Sequence, residues 1–170
     1  MISTGTRLPS IALPATDGRD IDLSGLSGIG VVYAYPRTSP PDARPIDGWD
    51  LIPGARGCTP QSCAFRDHHA ELMQPGASYL FGLSTQDTAY QAEAAARLHL
   101  PFPLLSDARL QFSQAIGLPT FEAGGMTLLE RTTLVLKDGD IMHVMSRVSE
   151  PASNAEEVLA YLKAQTLGKG

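Results

Sequence analysis

The stretch Gly57-Cys58-Thr59-Pro60-Gln61-Ser62-Cys63-Ala64-Phe65-Arg66-Asp67 contains both cysteines of the chain and predicts the start of a helix. Pro60 suits the first turn of a helix, where its missing N–H leaves no hydrogen bond unmade. Apolar residues at helical spacing extend the predicted helix to about Met73. Cys58 then lies on the first turn, where unpaired N–H groups and the positive end of the helix dipole favour a thiolate.

The spacing of Cys58 and Cys63 limits how they can bond to each other. An ideal helix separates Cα atoms five residues apart by about 8.6 Å. Disulfides rarely span more than about 7 Å, so a bond between two helical residues at this spacing requires the first turns to unwind. The alternative interpretation is a pair of small, buried hydrophobic side chains. In a cytosolic chain, so close a pair is more typical of catalysis or metal binding than of a structural disulfide.

The composition is that of a single globular domain covering residues 1–170. The chain is 43% hydrophobic and 18% charged, which argues against wholesale disorder. Its net charge is −5 and its basic residues are scattered, so we expect neither nucleic acid nor a membrane as a partner. Residues 1–5 do not resemble the start of a signal peptide, and no apolar run is long enough to span a bilayer; we therefore expect a cytoplasmic location.

Strand and helix patterns alternate along the chain and predict an α/β fold, with a mixed sheet covered by helices on both faces. The pairs Asp17-Gly18 and Asp138-Gly139 lie between short apolar runs and predict two hairpins, one of them N-terminal. Residues 29–35 are apolar on both faces, which is typical of a central strand. We expect residues 118–129 to be a Gly-rich connection, with an ordinary loop at its start.

Residues 37–57 form a Pro-rich loop that interrupts this pattern. The prolines exclude a helix or a central strand, because proline removes a hydrogen-bond donor and fixes φ. Structureless segments of this length usually have a function or are mobile. The loop carries the only tryptophan, Trp49, and leads directly into Cys58. Trp49 is either a pocket wall over the thiol or a surface anchor for the loop.

Arg131 is the arginine best placed to act on the thiol. It immediately precedes the apolar run 132–136, so it lies at the entry to a strand and either points into a site or is exposed at the sheet edge. A nearby guanidinium and a helix N-terminus can lower a thiol pKa from about 8.5 to roughly 3.5–7.5. Ionisation alone contributes only about 2 kcal/mol of the 8 kcal/mol or more that enzymes commonly supply. Something must therefore also orient the electrophile and stabilise its leaving group, and the candidates are the N–H groups around residues 57–59 and the arginine.

On these residues the chain resembles the peroxiredoxins, and in particular the group of the bacterioferritin comigratory proteins, or Q-type peroxiredoxins. In that group a Tyr-Pro turn leads to Gly-Cys-Thr, two variable residues, Cys and then Phe-Arg-Asp, which Tyr35-Pro36 and residues 57–67 match. Further segments follow in the family's order, namely Leu83-Ser84-Thr85, Leu104-Leu105-Ser106-Asp107, and Arg131-Thr132-Thr133-Leu134 with Asp138-Gly139. The resemblance covers most of the chain.

The resemblance implies a thioredoxin-like fold and an antioxidant thiol peroxidase that reduces hydrogen peroxide or organic hydroperoxides. Cys58 matches the peroxidatic cysteine, which becomes a sulfenic acid. Cys63 matches the resolving cysteine, which closes an intrachain disulfide with Cys58. A thioredoxin- or glutaredoxin-type protein would then reduce this disulfide by thiol exchange.

The same resemblance suggests which residues surround the substrate. Arg131 matches the active-site arginine that holds the thiolate and the peroxide. We expect four further residues to bind the substrate: Gly57, Thr59, Pro36 and Trp49. No cofactor or metal is implied, and the adjacent His68-His69 pair, whose side chains point in two directions on a helix, lacks further ligands. The expected form is a monomer or a homodimer.

The chain departs from the family motif in one place. The family has Thr or Ser three residues before the peroxidatic cysteine, whereas this chain has Ala55, which has no hydroxyl. Thr38 or Ser39 could fold back to supply the hydroxyl; otherwise the site lacks it and peroxide is a poorer or different substrate. The missing hydroxyl favours an alternative hypothesis, a non-enzymatic redox sensor or binding module on the same scaffold.

Overall fold

The computed structural model describes residues 2–38, 46, 48–49, 57–74, 77–146 and 148–167. The strands in this part of the chain are β1 Ala12–Pro14, β2 Asp20–Asp22, β3 Ile29–Ala34, β4 Ala77–Ser84, β5 Leu104–Ser106, β6 Thr120–Ala123, β7 Met126–Leu129, β8 Thr132–Lys137 and β9 Asp140–Met145. The helices are α1 Cys58–Asp67, α2 His69–Met73, α3 Thr88–Arg97, α4 Gln111–Ile116 and α5 Asn154–Leu167, with 3-10 turns at Leu23–Gly25 and Pro151–Ser153. None of the helices in these ranges combines the length and hydrophobicity needed to cross a bilayer.

Five strands form the central mixed sheet, in the order β5-β4-β3-β8-β9. β3 lies at its centre, parallel to β4 on one side and antiparallel to β8 on the other. Val31, Val32 and Tyr33 on β3 have no exposed surface, as expected for a strand covered on both faces. The predicted α/β class with a mixed sheet is therefore confirmed.

Alternate residues of β3 face two separate apolar clusters. Val32 packs in the cluster that contains residues of the N-terminal segment and of α4. Val31 and Tyr33 pack in the other cluster, which contains residues of α1, α2, α3 and α5. Helices therefore cover both faces of the sheet, and α1 and α5 lie on the same face.

Both predicted Asp-Gly hairpins are present. β1 and β2 pair antiparallel around Asp17-Gly18, and β8 and β9 pair antiparallel around Asp138-Gly139. The Asp138 side chain also accepts a hydrogen bond of 2.7 Å from the N–H of Gly28, just before β3. This contact ties the second hairpin to the central strand.

The prediction of a loop over residues 118–129 is wrong in most of its length, because β6 and β7 form a small antiparallel hairpin there. Gly124 and Gly125 make its turn, with φ of +57° and +75°. Two-residue hairpin turns of this kind need positive φ at both central positions, which glycine adopts without strain. The sequence feature that indicates such a turn is the Gly124-Gly125 pair between two apolar runs.

The helix predicted to run to Met73 is divided at His68, between α1 and α2. His68 has φ −99° and ψ 6°, outside helical geometry. Its backbone N–H donates to the Ala64 carbonyl at 3.0 Å, and its Nδ1 lies 2.9 Å from the same oxygen. The His68 ring therefore lies at the end of α1, and the chain continues as the shorter helix α2 from His69.

Candidate active site

Cys58 is the first residue of α1, directly after Gly57. Gly57 has φ +103°, a left-handed conformation, and its carbonyl accepts the first helical hydrogen bond from the Gln61 N–H at 2.9 Å. A Cβ on Gly57 would lie 2.6 Å from Cγ of Pro151, in the 3-10 turn before α5. Glycine thus serves two purposes here, since it permits the positive φ and lets the start of α1 pack against the start of α5.

The buried guanidinium of Arg131 faces the sulfur of Cys58. Its Nη2 donates to Cys58 Sγ at 3.2 Å, and the two residues are 2% and 5% exposed. Arg131 therefore points into a site and is not exposed at the sheet edge. The positive charge of the guanidinium and the positive end of the α1 dipole thus both lie at this sulfur.

A chain of buried side chains continues from Arg131 to α5. Arg131 Nη1 donates to Gln61 Oε1 at 2.5 Å, and Gln61 Nε2 donates to Asn154 Oδ1 at 3.0 Å. The hydroxyl of Thr133 donates to the same oxygen of Asn154 at 2.7 Å. Gln61, Asn154 and Thr133 have no exposed surface. The guanidinium is thus held from both sides, by the thiol and by an amide.

Three residues of this chain of side chains were not predicted to belong to the site, namely Gln61, Asn154 and Thr133. Gln61 stands three residues after Cys58, so helical spacing could have placed it near the thiol. Asn154 lies 93 positions from Gln61, and nothing in the sequence pattern connects the two. Thr133 is part of an apolar strand pattern, in which a threonine does not stand out.

The aromatic ring of Tyr33 lies beneath α1. It stacks on Phe65 with ring centroids 4.5 Å apart, and its hydroxyl is 3.0 Å from the Ser62 hydroxyl. Ser62 and Phe65 are fully buried on the inner face of α1. Tyr33 therefore fixes the helix that carries both cysteines to the centre of the sheet.

Burial keeps the phenols near the thiol uncharged. It raises the pKa of Tyr33 well above its usual value; nearby Tyr35, Cys58 and Cys63 add to the increase, whereas the Ser62 hydrogen bond opposes it. Burial likewise raises the pKa of Tyr35; the nearby side chain of Ser84 opposes the increase, and Cys58 adds a smaller one. Neutral phenols do not compete with the sulfur of Cys58 for the guanidinium.

Cys63 is also part of α1, as predicted, and is partly exposed. No disulfide joins Cys58 and Cys63 in the described part of the chain. Cys58 is buried against Arg131 while Cys63 lies closer to the surface.

The structure places the predicted substrate-binding residues in different surroundings. Pro36 is buried just after β3, and Thr59 is partly exposed on the first turn of α1. The Trp49 ring lies beside Phe121 on β6, with ring centroids 6.2 Å apart. The side chain of Ile46 approaches Gly124 at the tip of the same hairpin. Ile46 and Trp49 of the Pro-rich loop thus lie against the β6–β7 hairpin, and the position of Trp49 over the thiol stays a prediction.

Of the residues considered as a hydroxyl source, Thr38 is described, whereas Ser39 and the motif position Ala55 lie outside the described residues. Thr38 is 3% exposed and bonded to Gln86. Its N–H donates to Gln86 Oε1 at 3.0 Å, and its carbonyl accepts from Gln86 Nε2 at 2.8 Å. Its hydroxyl also faces Gln86 Oε1, at 3.5 Å.

The two adjacent histidines point to different neighbours. His68 Nε2 lies 3.8 Å from the carboxylate of Glu156 on α5. The His69 ring lies 6.1 Å from the ring of Phe102. Among the described residues, no group of three or more His, Cys, Asp or Glu side chains could hold a metal ion.

Comparison with known proteins identifies similar chains along nearly the whole length. The Redoxin family model matches residues 3–159. The peroxiredoxin Q of Oryza sativa subsp. japonica, a chloroplastic protein, is 33% identical over 165 residues, which cover 96% of this chain and 68% of that one. Peroxidoxin BcpB from Mycobacterium tuberculosis superimposes with a TM-score of 0.77 at 28% identity, over 96% of this chain and 98% of that one. Peroxiredoxin Q from Xanthomonas campestris shares the fold, with a TM-score of 0.76 at 24% identity, over 96% and 98% of the two chains.

Proposed function

The chain belongs to the Redoxin family and is a peroxiredoxin of the Q type, and on this premise we propose that it reduces hydroperoxides through a sulfenic acid on Cys58 and a disulfide with Cys63. The observation that carries the proposal is the buried Arg131 Nη2, 3.2 Å from Cys58 Sγ at the first residue of α1. A guanidinium and a helix N-terminus converge on one sulfur, which is the environment that activates a thiol.

In the first step the Cys58 thiolate attacks the terminal oxygen of the hydroperoxide. An S–O bond forms as the O–O bond breaks, so Cys58 becomes a sulfenic acid and the remaining RO⁻ takes a proton to leave as alcohol or water. Arg131 stabilises the negative charge as it moves from the sulfur to the departing oxygen. We assign substrate binding to the N–H groups of Gly57 and Thr59, with Pro36 and Trp49 as further walls.

In the second step the Cys63 thiol attacks the sulfenic sulfur of Cys58. An S–S bond forms and the hydroxyl leaves as water, after taking a proton. Both residues are in α1, where helical geometry holds their Cα atoms about 8.6 Å apart, beyond the roughly 7 Å that disulfides span. The first turns of α1 therefore unwind in this step, and the buried contact of Ser62 with Tyr33 breaks. A thioredoxin- or glutaredoxin-type dithiol then reduces the disulfide by thiol exchange and becomes oxidised itself.

We propose the cytoplasm as the location of this cycle.

Mass spectrometry of the intact protein after one equivalent of peroxide tests the mechanism. We expect the loss of two hydrogens in the native chain, a gain of one oxygen in Cys63→Ser, and no change in Cys58→Ser. A gain of oxygen without the loss of hydrogens in the native chain would contradict the disulfide step. Unchanged peroxide consumption by Cys58→Ser would contradict the whole proposal.

A steady-state assay separates catalysis from the alternative of a redox sensor. With a thioredoxin system present, an enzyme consumes many equivalents of peroxide per chain, whereas a sensor consumes about one. Membership of the peroxiredoxins supports the enzyme, and we expect repeated turnover. If turnover stops after one equivalent while the intrachain disulfide still forms, the sensor hypothesis replaces catalysis.

A further inference from the structure

We infer that Asn154 on α5 is a positioning residue, which orients the amide of Gln61 and thereby holds Arg131 in place at Cys58. The inference rests on the proposed function and extends the machinery to an element that carries none of the cysteines. Three hydrogen bonds, Arg131–Gln61, Gln61–Asn154 and Thr133–Asn154, connect it to the site.

The direction of each hydrogen bond is fixed by the guanidinium. Arg131 can only donate, so the Gln61 oxygen must face it and the Gln61 NH₂ must face away. That NH₂ needs an acceptor, so Asn154 turns its oxygen towards Gln61. The Thr133 hydroxyl, with one proton, donates to the same oxygen at 2.7 Å. Asn154 is therefore the acceptor that keeps Gln61 from turning its own NH₂ towards Arg131.

Because these side chains are buried, reversing the amide of Asn154 would cost free energy. Gln61, Asn154 and Thr133 are all 0% exposed, and a reversed Asn154 amide would direct its NH₂ at the NH₂ of Gln61, which would then lose its acceptor. Among the described residues, the acceptor for Asn154 Nδ2 is the sulfur of Met145, 3.7 Å away, and a thioether sulfur is a weak acceptor. A buried donor without an acceptor is unfavourable, so only one orientation of Asn154 satisfies its neighbours.

Asn154 also bonds a residue of α1, the helix whose first turns unwind in the proposed disulfide step. Gln61 lies between Cys58 and Cys63 on α1, whereas Asn154 is the first residue of α5. When the first turns of α1 unwind, Gln61 leaves both Arg131 and Asn154. Asn154 therefore favours the helical, reduced arrangement in which Arg131 faces the thiol.

The test uses Cys63→Ser as the background, so that Cys58 is the only thiol. The rate of alkylation of Cys58 by iodoacetamide is measured against pH, and its oxidation by hydrogen peroxide is followed in a single turnover. Asn154→Leu keeps the approximate size of the side chain but cannot accept a hydrogen bond. In this variant we expect the alkylation profile of Cys58 to move to higher pH and the rate constant for peroxide to fall about tenfold. A tenfold fall corresponds to the loss of one hydrogen bond to a charged group, here the bond between Gln61 and Arg131. Thr132→Val is the matched control, because Thr132 lies next to Thr133 on β8 and its buried hydroxyl donates to the Glu130 carbonyl.

A double-mutant cycle separates positioning from a general loss of structure. If Asn154 acts through Gln61, Asn154→Leu combined with Gln61→Leu is no slower than Gln61→Leu alone. Multiplicative losses in the double variant would overturn the inference. Thr133→Val, which removes one donor to Asn154 and keeps the side-chain shape, should shift the profile in the same direction by a smaller amount, and provides the readout if Asn154→Leu does not fold.

The two proposals fail in different ways. If the background protein itself reacts with peroxide no faster than a free cysteine, the proposed function is wrong whatever the residue at position 154. If the background protein reacts fast and Asn154→Leu matches Thr132→Val in rate and profile, the proposed function stands and the role of Asn154 is refuted.

Discussion

Arg131 Nη2 lies 3.2 Å from Cys58 Sγ, although 73 positions separate the two residues in the sequence. The guanidinium reaches the thiol from the entry of β8, and the thiol is presented by the first turn of α1. This pair defines the site, because it brings a guanidinium and a sulfur into direct contact in the buried interior.

Arg131→Met removes the charge that faces the sulfur. We expect the second-order rate constant for peroxide to fall by about 10²–10³, as when a donor to a developing anion is lost. Arg131→Lys keeps a charge but not the two-pronged contact to Cys58 and Gln61, so its loss should be smaller but still measurable. Stopped-flow oxidation measures both. Arg19→Lys at an exposed pair with Asp17 is the control and should match the native rate.

Gly57→Ala tests the packing of α1 against the turn before α5. It places a Cβ 2.6 Å from Pro151 at φ +103°, and we expect a loss of about 2–4 kcal/mol in the free energy of unfolding, from backbone strain and overpacking together. Urea titration measures the loss. Gly5→Ala is a matched control, because Gly5 has φ +88° and open space around it, so it reports the backbone strain alone. Equal losses in both variants would show that the contact with Pro151 does not matter.

Tyr33→Phe should weaken the fold less at high pH than at neutral pH. Burial raises the pKa of Tyr33 in the folded state, so the protonated phenol contributes stability that is fully present below the unfolded value of about 10 and is lost as pH rises above it. Above that pH the native protein loses about 1.4 kcal/mol per pH unit for each such tyrosine. The variant lacks one of these groups, so the stability difference between the two proteins should shrink between pH 9 and pH 11 on urea titration. A difference that grows with pH would contradict this sign.

Disulfide formation should unfold the start of α1 and leave α5 intact. Hydrogen exchange of the amides of residues 58–66 is therefore expected to be faster in the oxidised protein than in the reduced one, because the Cα spacing of a helix is too long for the bond. Amides of residues 158–165 provide the internal control and should exchange alike in both forms. Equal protection of residues 58–66 before and after oxidation would rule out unwinding.

Features encoded by neighbouring residues were predictable from the sequence. The Asp-Gly hairpins, the buried strand at residues 29–34 and the helix beginning at Cys58 each depend on a local pattern, and the structure contains all three. The hairpin at residues 120–129 was missed although its Gly-Gly turn is local, because glycine richness was interpreted as irregular structure. The break at His68 depends on a side chain that folds back onto its own helix end, which periodicity does not report.

The interior of the site was predictable only in part. Arg131 was identified from its place before a strand and from a family motif, whereas its contact with Gln61 depends on side-chain directions. Asn154 begins α5, a helix whose pattern indicates an apolar face and gives no sign of a polar residue turned inward. Only the packing of α5 on the same sheet face as α1 brings it to Gln61, and that is a property of the whole fold.

The order of the residues along the chain determines when each part of the site is synthesised. Cys58 leaves the ribosome 73 residues before Arg131, and Gln61 leaves 93 residues before Asn154. At translation speeds of about 5–20 residues per second, the thiol exists for several seconds without its guanidinium. A nascent chain therefore carries Cys58 without its buried neighbours, and the set of Cys58, Arg131, Gln61 and Asn154 is complete only once α5 has emerged and docked.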